Sequence, residues 1–454
     1  MVMEAVELAE ELLAVAEFVV TQGMRKGADA VESYVSTGSE LSIEVRHREV
    51  ETLKQAEERG IGIRVFRGRR VGFAFGTEIS KEGINDTLSR ATAAAEYAAE
   101  DEYQRLPEPR GEYPAFSLLD DAIVSTPVEE KLALALRMEE AAFGFDGRVK
   151  VIESSAYHED VSEAAIVNSL GIAAKCRAAT CGLYISLAAQ ADGQSETGYA
   201  LRYSRRYAEL DPDELGREAA SRAVRLLGAR KAKTRSVPVV FDPYVAVDII
   251  GLLAPALTAE AVQRGRSLFA GKAGQEVASS GVTLVDDGTY PGGVRTVPFD
   301  GEGVPTQRTV LIKDGVLQGY LHNTYTGAKE GRLSTGNAIR ASFKSIPGVG
   351  PTNFYLEPGG VSPGELIKGV EEGLYVMEVM GMHTANPISG DFSVGASGVW
   401  IDKGVLARPV RGVVIAGNIL KLLREIDAVA DDLRFFGGRG APTFRVASLK
   451  VSGD

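Results

Sequence analysis

The sequence predicts an α+β protein. An N-terminal duplicated α/β unit with antiparallel strands should precede a mostly-β domain that carries one buried helix. Three observations lead there. An order of helix, several strands and helix occurs twice before residue 230. Near residue 236 the texture changes to short strands between turns, and 51 glycines supply many chain reversals. At 454 residues the chain is too long for one ordinary core, so two or three domains are expected.

The first helix is expected over 3–27, where Val6, Leu8, Leu12, Leu13, Ala16 and Val19 recur at helical spacing. The stretch "ADAVESYVSTGSELSIEVRHREVETLKQAEERGIGIRVFRGRRVGFAFGT" then alternates apolar and polar residues. That period suits an antiparallel meander, with "RGRR" as a hairpin turn. A helix follows at about 80–100, and Pro107, Pro109, Pro114 and Pro127 mark 105–127 as a connector. The order then recurs: a helix in "PVEEKLALALRMEEAAF", strands at about 149–204, and a helix in "DPDELGREAASRAVRLLG". The repeat lies in the order of elements and not in the letters.

Residues 1–230 thus read as one domain and 236–454 as a second. The basic "ARKAKTR" (229–235) suits a solvated connector between them, and "RYSRRYAE" (202–209) likewise reads as solvated surface. "SVPVVF" reads as a strand and the apolar run 243–262 as one buried helix. Short strands with turns at "DDGT", "KDG" (313–315) and "DKG" (402–404) fill the remainder.

Lys and Arg number 50 against 62 Asp and Glu, a formal net charge of −12. Such a balance gives no general attraction to phosphate backbones, so nucleic acid is not an expected partner. Cys176 and Cys181 are wrongly spaced for a CxxC pair and have no second pair to complete a zinc site. In the strand-like "AAKCRAATCGLYIS" they read as buried free thiols, which suits a reducing compartment. The acidic start lacks a basic n-region, and Asp248 and Pro255 interrupt the longest apolar run. Neither a signal peptide nor a membrane span is expected, and the expected location is the cytoplasm.

Chemistry is sparse. His47, His158, His322 and His383 share no local metal-ligand spacing, and no GxSxG elbow, P-loop or strand-flanked GxGxxG occurs. Two stretches gather polar and turn-forming residues. In "FDGEGVPTQRTVLIKDGVLQGYLHNTYTGAKEG" (299–331), two acids between glycines either turn the chain or hold a cation. In "GMHTANPISGDFSVGASG" (381–398), His383, Asn386, Ser389, Asp391 and Ser393 stand among four glycines. That stretch is either a pair of turns or a binding or catalytic loop.

Taken in order, "FDGEGVPTQRTVLIKDGVLQGYL", "STGNAIR", "GLYVMEVMGMHTANPISGDFSVGASGVWIDKGVL" and "PVRGVVIAGNIL" resemble the TldD/PmbA family. "LSIEVRHREVETLKQAEERGIGIRVFRGRRVGFAFGT" is similar to that family's opening domain, so the resemblance covers nearly the whole chain. It implies a cytoplasmic metallopeptidase of two related subunits that acts on unstructured peptides. In the active arm an H-E-x-x-x-H helix and a cysteine near the C-terminus hold zinc. Two imidazoles and a thiolate leave one position open for water, whose proton the glutamate takes.

Here the motif would fall in 243–262, yet no histidine stands between His158 and His322, and "RFFGGRGAPTFRVASLKV" holds no cysteine. Ile, Leu and Val side chains cannot ligate zinc. The chain is therefore similar to the TldE/PmbA side of the family, which lacks the metal motif. The resemblance implies a non-catalytic subunit without a metal or catalytic residue of its own, paired with a TldD-type subunit that carries zinc. His383, Asn386 and Asp391, with His322 behind them, are then the candidates for lining a shared peptide chamber. The alternative is a stand-alone homodimer that binds peptides or another protein without cleaving them, in line with the family's older description as a modulator of DNA gyrase. A metal-independent enzyme using Ser or Asp side chains is a third reading.

Overall fold

A computed structural model describes residues 2–386 and 388–453, with side chains from residue 11 onward except at His383. The first repeat runs α1 (Val2–Arg25), β1 (Ala30–Arg46), β2 (Glu49–Arg67), β3 (Arg70–Gly76) and α2 (Lys81–Tyr97). A short α3 (Asp121–Ser125) precedes the second: α4 (Val128–Phe145), β4 (Val149–Asn168), β5 (Ala173–Ala191), β6 (Gln194–Ser204) and α5 (Pro212–Leu226). All six strands form one antiparallel sheet in the order β3-β2-β1-β4-β5-β6. Two meanders therefore stand back to back across the β1–β4 pair.

The duplication extends to single atoms. A Cβ on Gly72 of β3 would lie 2.0 Å from the Ala91 carbonyl oxygen of α2, and one on Gly198 of β6 would lie 2.3 Å from that of Ala219 in α5. In each repeat the third strand and its following helix touch backbone to backbone, which only glycine permits. Side chains of α1 and α2 bury one face of the first half, with Val35, Ile61, Ile63 and Leu88 fully buried. Those of α4 and α5 bury the second half around Tyr157, Ile185 and Met138. β2 is buried on both faces from Gly60 to Phe66 and is exposed nearly throughout from Glu49 to Arg59.

The C-terminal half contains a closed barrel. β7 (Arg235–Phe241) lies between β14 (Glu372–Met380) and β20 (Phe444–Ser452), and β15 (Asp391–Asp402) and β16 (Val405–Asn418) complete the circuit because β16 also pairs with β20. β17 (Ile426–Val429) adds to β20 after α11 (Ile419–Glu425). A second sheet, in the order β10-β9-β8-β13-β19-β18, uses β8 (Leu284–Asp287), β9 (Arg308–Lys313), β10 (Val316–Leu317), β13 (Phe354–Leu356), β18 (Arg434–Phe436) and β19 (Arg439–Ala441). β11 (Ala338–Ile339) and β12 (Gly348–Val349) form a separate hairpin, and α9 (Thr324–Lys329) and α10 (Pro363–Lys368) lie in the connections.

The apolar run after β7 is helical and buried, but it is divided into α6 (Pro243–Gly251), α7 (Leu253–Ala256) and α8 (Ala259–Gln263). Pro255 has no N–H to continue the ladder. Thr258 opens α8 by accepting the Ala261 N–H. α6 is wedged between the barrel and the second sheet.

Two expectations about basic segments change. The 229–235 connector keeps its basic side chains exposed but is docked as well: Ala229 and Ala232 are buried, and Arg230 exchanges backbone bonds with Pro409 and Arg411 of β16. Its alanines carry the contact while the longer side chains alternate with them. Arg205 is buried as well, donating to the carbonyls of Gly293, Val294, Thr296, Leu118 and Ala179. Backbone oxygens from separate segments converge on one guanidinium, so a residue that reads as surface ties the two halves together.

The two halves also meet through a buried charge cluster. Arg64 of β2 donates to Glu32 of β1 at 2.8 Å and to Glu302 at 3.3 Å, and Arg340 donates to Glu32 from the other side. All four side chains are almost completely buried.

Candidate functional site

The 381–391 segment closes one end of the barrel. Gly381 leaves β14 with φ +88°, a left-handed turn that suits glycine, and a single 3-10 turn spans Met382–Thr384. The backbone of His383 lies in this turn, whereas its side chain lies outside the described residues. Asn386 Oδ1 accepts the N–H groups of Ile388 and Ser389 at 2.9 and 3.1 Å. The Asn386 N–H donates to the Asp391 carbonyl at 2.9 Å, and Gly390 N–H to the Asn386 carbonyl at 2.8 Å.

Asp391 then fastens the loop to its neighbour strand. Its carboxylate accepts from Ser389 Oγ at 2.8 Å and from Asn418 Nδ2 at 2.9 Å, while Asn418 also donates to the Ser389 carbonyl. These bonds, from Asn418 and then Ser389, hold the Asp391 carboxyl below the usual carboxylate range. Asn386 and Asp391 are thus brought together, and both spend their side chains on holding the loop. Asn418, which the sequence reading did not single out, completes the set. Its one local signal is that of a helix N-cap, since Oδ1 also accepts the Leu420 N–H at the start of α11.

Because Asn418 and Asp391 share one bond and each also ties Ser389, Asn418→Ala and Asp391→Ala should each loosen the loop, and the double variant should lose less than the sum of the two. Hydrogen exchange of the Ile388 and Gly390 amides checks this. The glycines separate in the same measurement. Gly390 has φ +80°, and a Cβ there would meet Ile419 Cγ2 at 2.7 Å, so Gly390→Ala is strained. Gly395 is not in that conformation, and its nearest neighbour to a new Cβ is 3.8 Å away.

Beneath the loop the barrel mouth is apolar. Phe241, Val379, Phe392, Val394 and Ile415 line it from the strands, Met382 from the loop, and Ile249 and Leu252 from the helical side. On the outer face, Met380, Gly395 and Val414 are cross-strand neighbours in one row, and Met380 and Val414 are exposed. An extended chain laid along this row would meet apolar surface and small residues. No acid, base or nucleophile points into the mouth from its lining residues.

The resemblance places an H-E-x-x-x-H helix in 243–262, and two residues of that segment, Ile249 and Leu252, line the mouth. Ile249 and Leu252 offer no donor to a metal, so the side chains present do not fit a zinc ion. Among the described residues no group of three or more His, Cys, Asp or Glu could hold one. Cys176 and Cys181 sit on β5 as free thiols, which burial pushes up to about 11 and about 12.

His322 stands apart from the loop. It is buried, its backbone N–H donates to Thr335 Oγ1, its carbonyl accepts from Ser334 Oγ, and its Nε2 lies 3.8 Å from Glu330. Burial holds this imidazole below its ordinary pKa, and Glu330 offsets only part of that. The "DGEG" acids are consumed by structure. Asp300 accepts the N–H groups of Glu302, Val304 and Ala338, and Glu302 accepts from Thr324 N–H and Arg64. Burial, then the Glu302 carboxylate, push the Asp300 carboxyl up to about 7.

Comparison with known proteins covers the same ground. The model of PmbA/TldA metallopeptidase domain 1 matches residues 31–95, that of the central domain 122–227, and that of the C-terminal domain 234–453. The chain is 28% identical over 431 residues to "Metalloprotease PmbA" of Escherichia coli O157:H7, covering 94% of this chain and 93% of that protein. It is 30% identical over 445 residues to a "Metalloprotease" of Methanothermobacter thermautotrophicus, covering 92% and 94%. A crystal structure from Thermotoga maritima, described as a proposed modulator of a DNA gyrase, superposes with a TM-score of 0.90 at 28% identity over 97% of this chain and 99% of that one. TldE from Thermococcus kodakarensis shares the fold with a TM-score of 0.89 at 23% identity over 97% and 100%.

Proposed function

The chain belongs to the PmbA/TldD metallopeptidase family, and from that membership we propose that it is the metal-free subunit of a two-subunit peptidase, paired with a TldD-type subunit that carries the zinc. One observation carries the reading. In 243–262, where the resemblance places the imidazoles, no histidine occurs, and the residues that this segment sends to the barrel mouth are Ile249 and Leu252. Unstructured peptides are the proposed substrates. The row Met380–Gly395–Val414 gives an extended chain a place to lie. Asn386, Asp391 and Asn418 hold the loop that shapes this surface.

The proposed location of the pair is the cytoplasm, which the two unlinked thiols suit. No helix among the described residues is long and apolar enough to cross a membrane. The likeness to the Thermotoga maritima protein, described as a gyrase modulator, favours a second reading, a stand-alone binding homodimer without peptidase activity.

The test is reconstitution. The dialysed chain should carry far less than one zinc, should cleave no peptide alone, and should support cleavage when mixed with a paralogue bearing H-E-x-x-x-H. Cleavage should vanish when that paralogue's glutamate is replaced. About one zinc per chain, or cleavage by the chain alone, overturns the proposal. A chain that recovers no such paralogue from its own cells supports the second reading instead. In the active pair, Asp391→Ala should lower turnover about tenfold, the scale expected for losing one or two hydrogen bonds.

A further inference from the structure

The outer barrel face that an extended peptide would cover is bordered by unmatched charge. Glu378 stands two residues before Met380 on β14, and they face Ser397 and Gly395 of β15 in one continuous register. Residues two apart on a strand share a face, so Glu378 adjoins the row Met380–Gly395–Val414 at about 7 Å along the strand. The Glu378 side chain is half-buried, and its one bond among the described residues comes from Thr197 Oγ1 of β6 at 3.5 Å.

The cations around Glu378 are committed elsewhere. Arg222 of α5 donates to both carboxylate oxygens of Asp242 at 3.1 Å and to the Met377 carbonyl at 2.6 Å. Arg411 of β16 donates to Glu196 at 2.6 Å. Two guanidinium groups therefore serve Asp242 and Glu196, and Glu378 forms no ion pair among the described residues. Burial pushes its carboxyl above the usual range, Arg222 opposes this, and Glu196 adds to it.

A second acid approaches from the helical side. Asp248 of α6 is exposed and directly precedes Ile249, which lines the mouth. It forms no ion pair among the described residues, although Arg439 acts on it from beyond that reach. Asp248 and Glu378 converge on Tyr199 of β6: burial pushes that hydroxyl up to about 12, Arg222 opposes, and Asp248, Glu378 and Asp242 add to the rise. The Tyr199 ring already lies 5.9 Å from the Arg222 guanidinium. Two free carboxylates beside an aromatic ring make a setting for an ammonium or guanidinium group.

We propose that this corner makes the peptide surface selective for a cationic side chain. A lysine or arginine of an extended peptide lays its stem along Met380 and brings its charge to Glu378 and Asp248. An acidic residue at the same place would add a third carboxylate without a counter-ion. This rests on the peptidase reading, because it names the class of peptide that the surface takes.

Three extended peptides that differ only in one central residue, lysine, glutamine or glutamate, test it by fluorescence anisotropy on the chain and by cleavage with the reconstituted pair. The lysine peptide should bind about tenfold more tightly than the glutamine peptide, the scale of one charged hydrogen bond, and the glutamate peptide more weakly than either. In the pair the same order should appear in KM and not in kcat. Glu378→Gln with Asp248→Asn should melt with the parent and bring the lysine peptide down to the level of the glutamine peptide. Each single replacement should close part of that gap. Equal affinity for the three peptides, a lysine preference that survives the double variant, or a double variant that weakens all three alike overturns the proposal. A chain that selects lysine yet supports no cleavage with an H-E-x-x-x-H paralogue upholds the selectivity and overturns the peptidase reading, so the two fail separately.

Discussion

Replacing Glu32 by alanine should destabilise the protein by about 3–5 kcal/mol, the usual result of removing one partner from a buried ion pair. Arg340 would keep only the carbonyls of Gly301 and Ser345, and Arg64 would keep Glu302 at 3.3 Å. A guanidinium held among buried groups then lacks a compensating charge. Glu32→Gln should cost less, because it preserves acceptor oxygen and shape. Thermal melting with both variants checks the order, with a fall of about 10 °C expected for alanine. The pH dependence has a definite sign. Burial alone would raise the Glu32 carboxyl, and Arg64 and Arg340 outweigh it and hold it below 4.5. A depressed carboxyl contributes stability above its unfolded pKa and loses it as pH falls through the folded one. The alanine variant should therefore lie furthest below the parent at neutral pH, and the gap should narrow in acid.

A comparable loss is expected from Gly398→Val. A Cβ on Gly398 would stand 1.9 Å from the Tyr375 carbonyl oxygen and 3.0 Å from Val376 Cα, both backbone atoms of the adjacent β14. Neither can turn aside as a side-chain tip would. β14 and β15 must part at the bulge where their register shifts between Val376 and Glu378. The expected cost is about 3 kcal/mol or more, with poor recovery of folded protein. Gly395→Ala, a few residues earlier on the same strand, should stay within about 0.5 kcal/mol. Equal behaviour of the two would contradict the close approach. Soluble yield and melting temperature measure both.

The contrast between these glycines shows what a sequence conceals. Both stand in "SVGASG", and nothing local separates the one that faces a carbonyl from the one that faces open space. The duplicated meander was legible because alternation, turn residues and helical spacing are local properties of the chain. The 243–262 run was legible as buried and helical, while its division followed Pro255 and Thr258 against a strong apolar pattern. The contacts that unite the halves left no trace. Arg64 and Glu302 are 238 positions apart, so the "DGEG" acids read as a turn or a cation site. Arg205 read as surface because the oxygens that satisfy it come from distant segments.

The candidate site was legible to a similar depth. Asn386 and Asp391 stand out as turn formers, and they do meet in one loop. Their tie to Asn418 crosses from β15 to the end of β16 and has no sequence pattern. His322 attracted attention only as one of four histidines, and its own bonds lead to Thr335 and Ser334. A rare residue type marks a position without saying what surrounds it.

The closure of the barrel has a consequence for how the chain is made. β7 emerges from the ribosome soon after the N-terminal sheet, yet both of its barrel neighbours, β14 and β20, come much later, and β20 is the last strand of all. During synthesis Val237, Val239 and Phe241, buried in the finished protein, therefore wait without either partner for more than a hundred residues and without the second for some two hundred, which takes on the order of ten seconds or more. Such an orphan strand is an invitation to wrong pairing and to chaperone capture. Ribosomes stalled before Phe444 should carry a nascent chain whose first half resists protease and whose second half does not. Release of the last strand should then convert the second half in a single cooperative step.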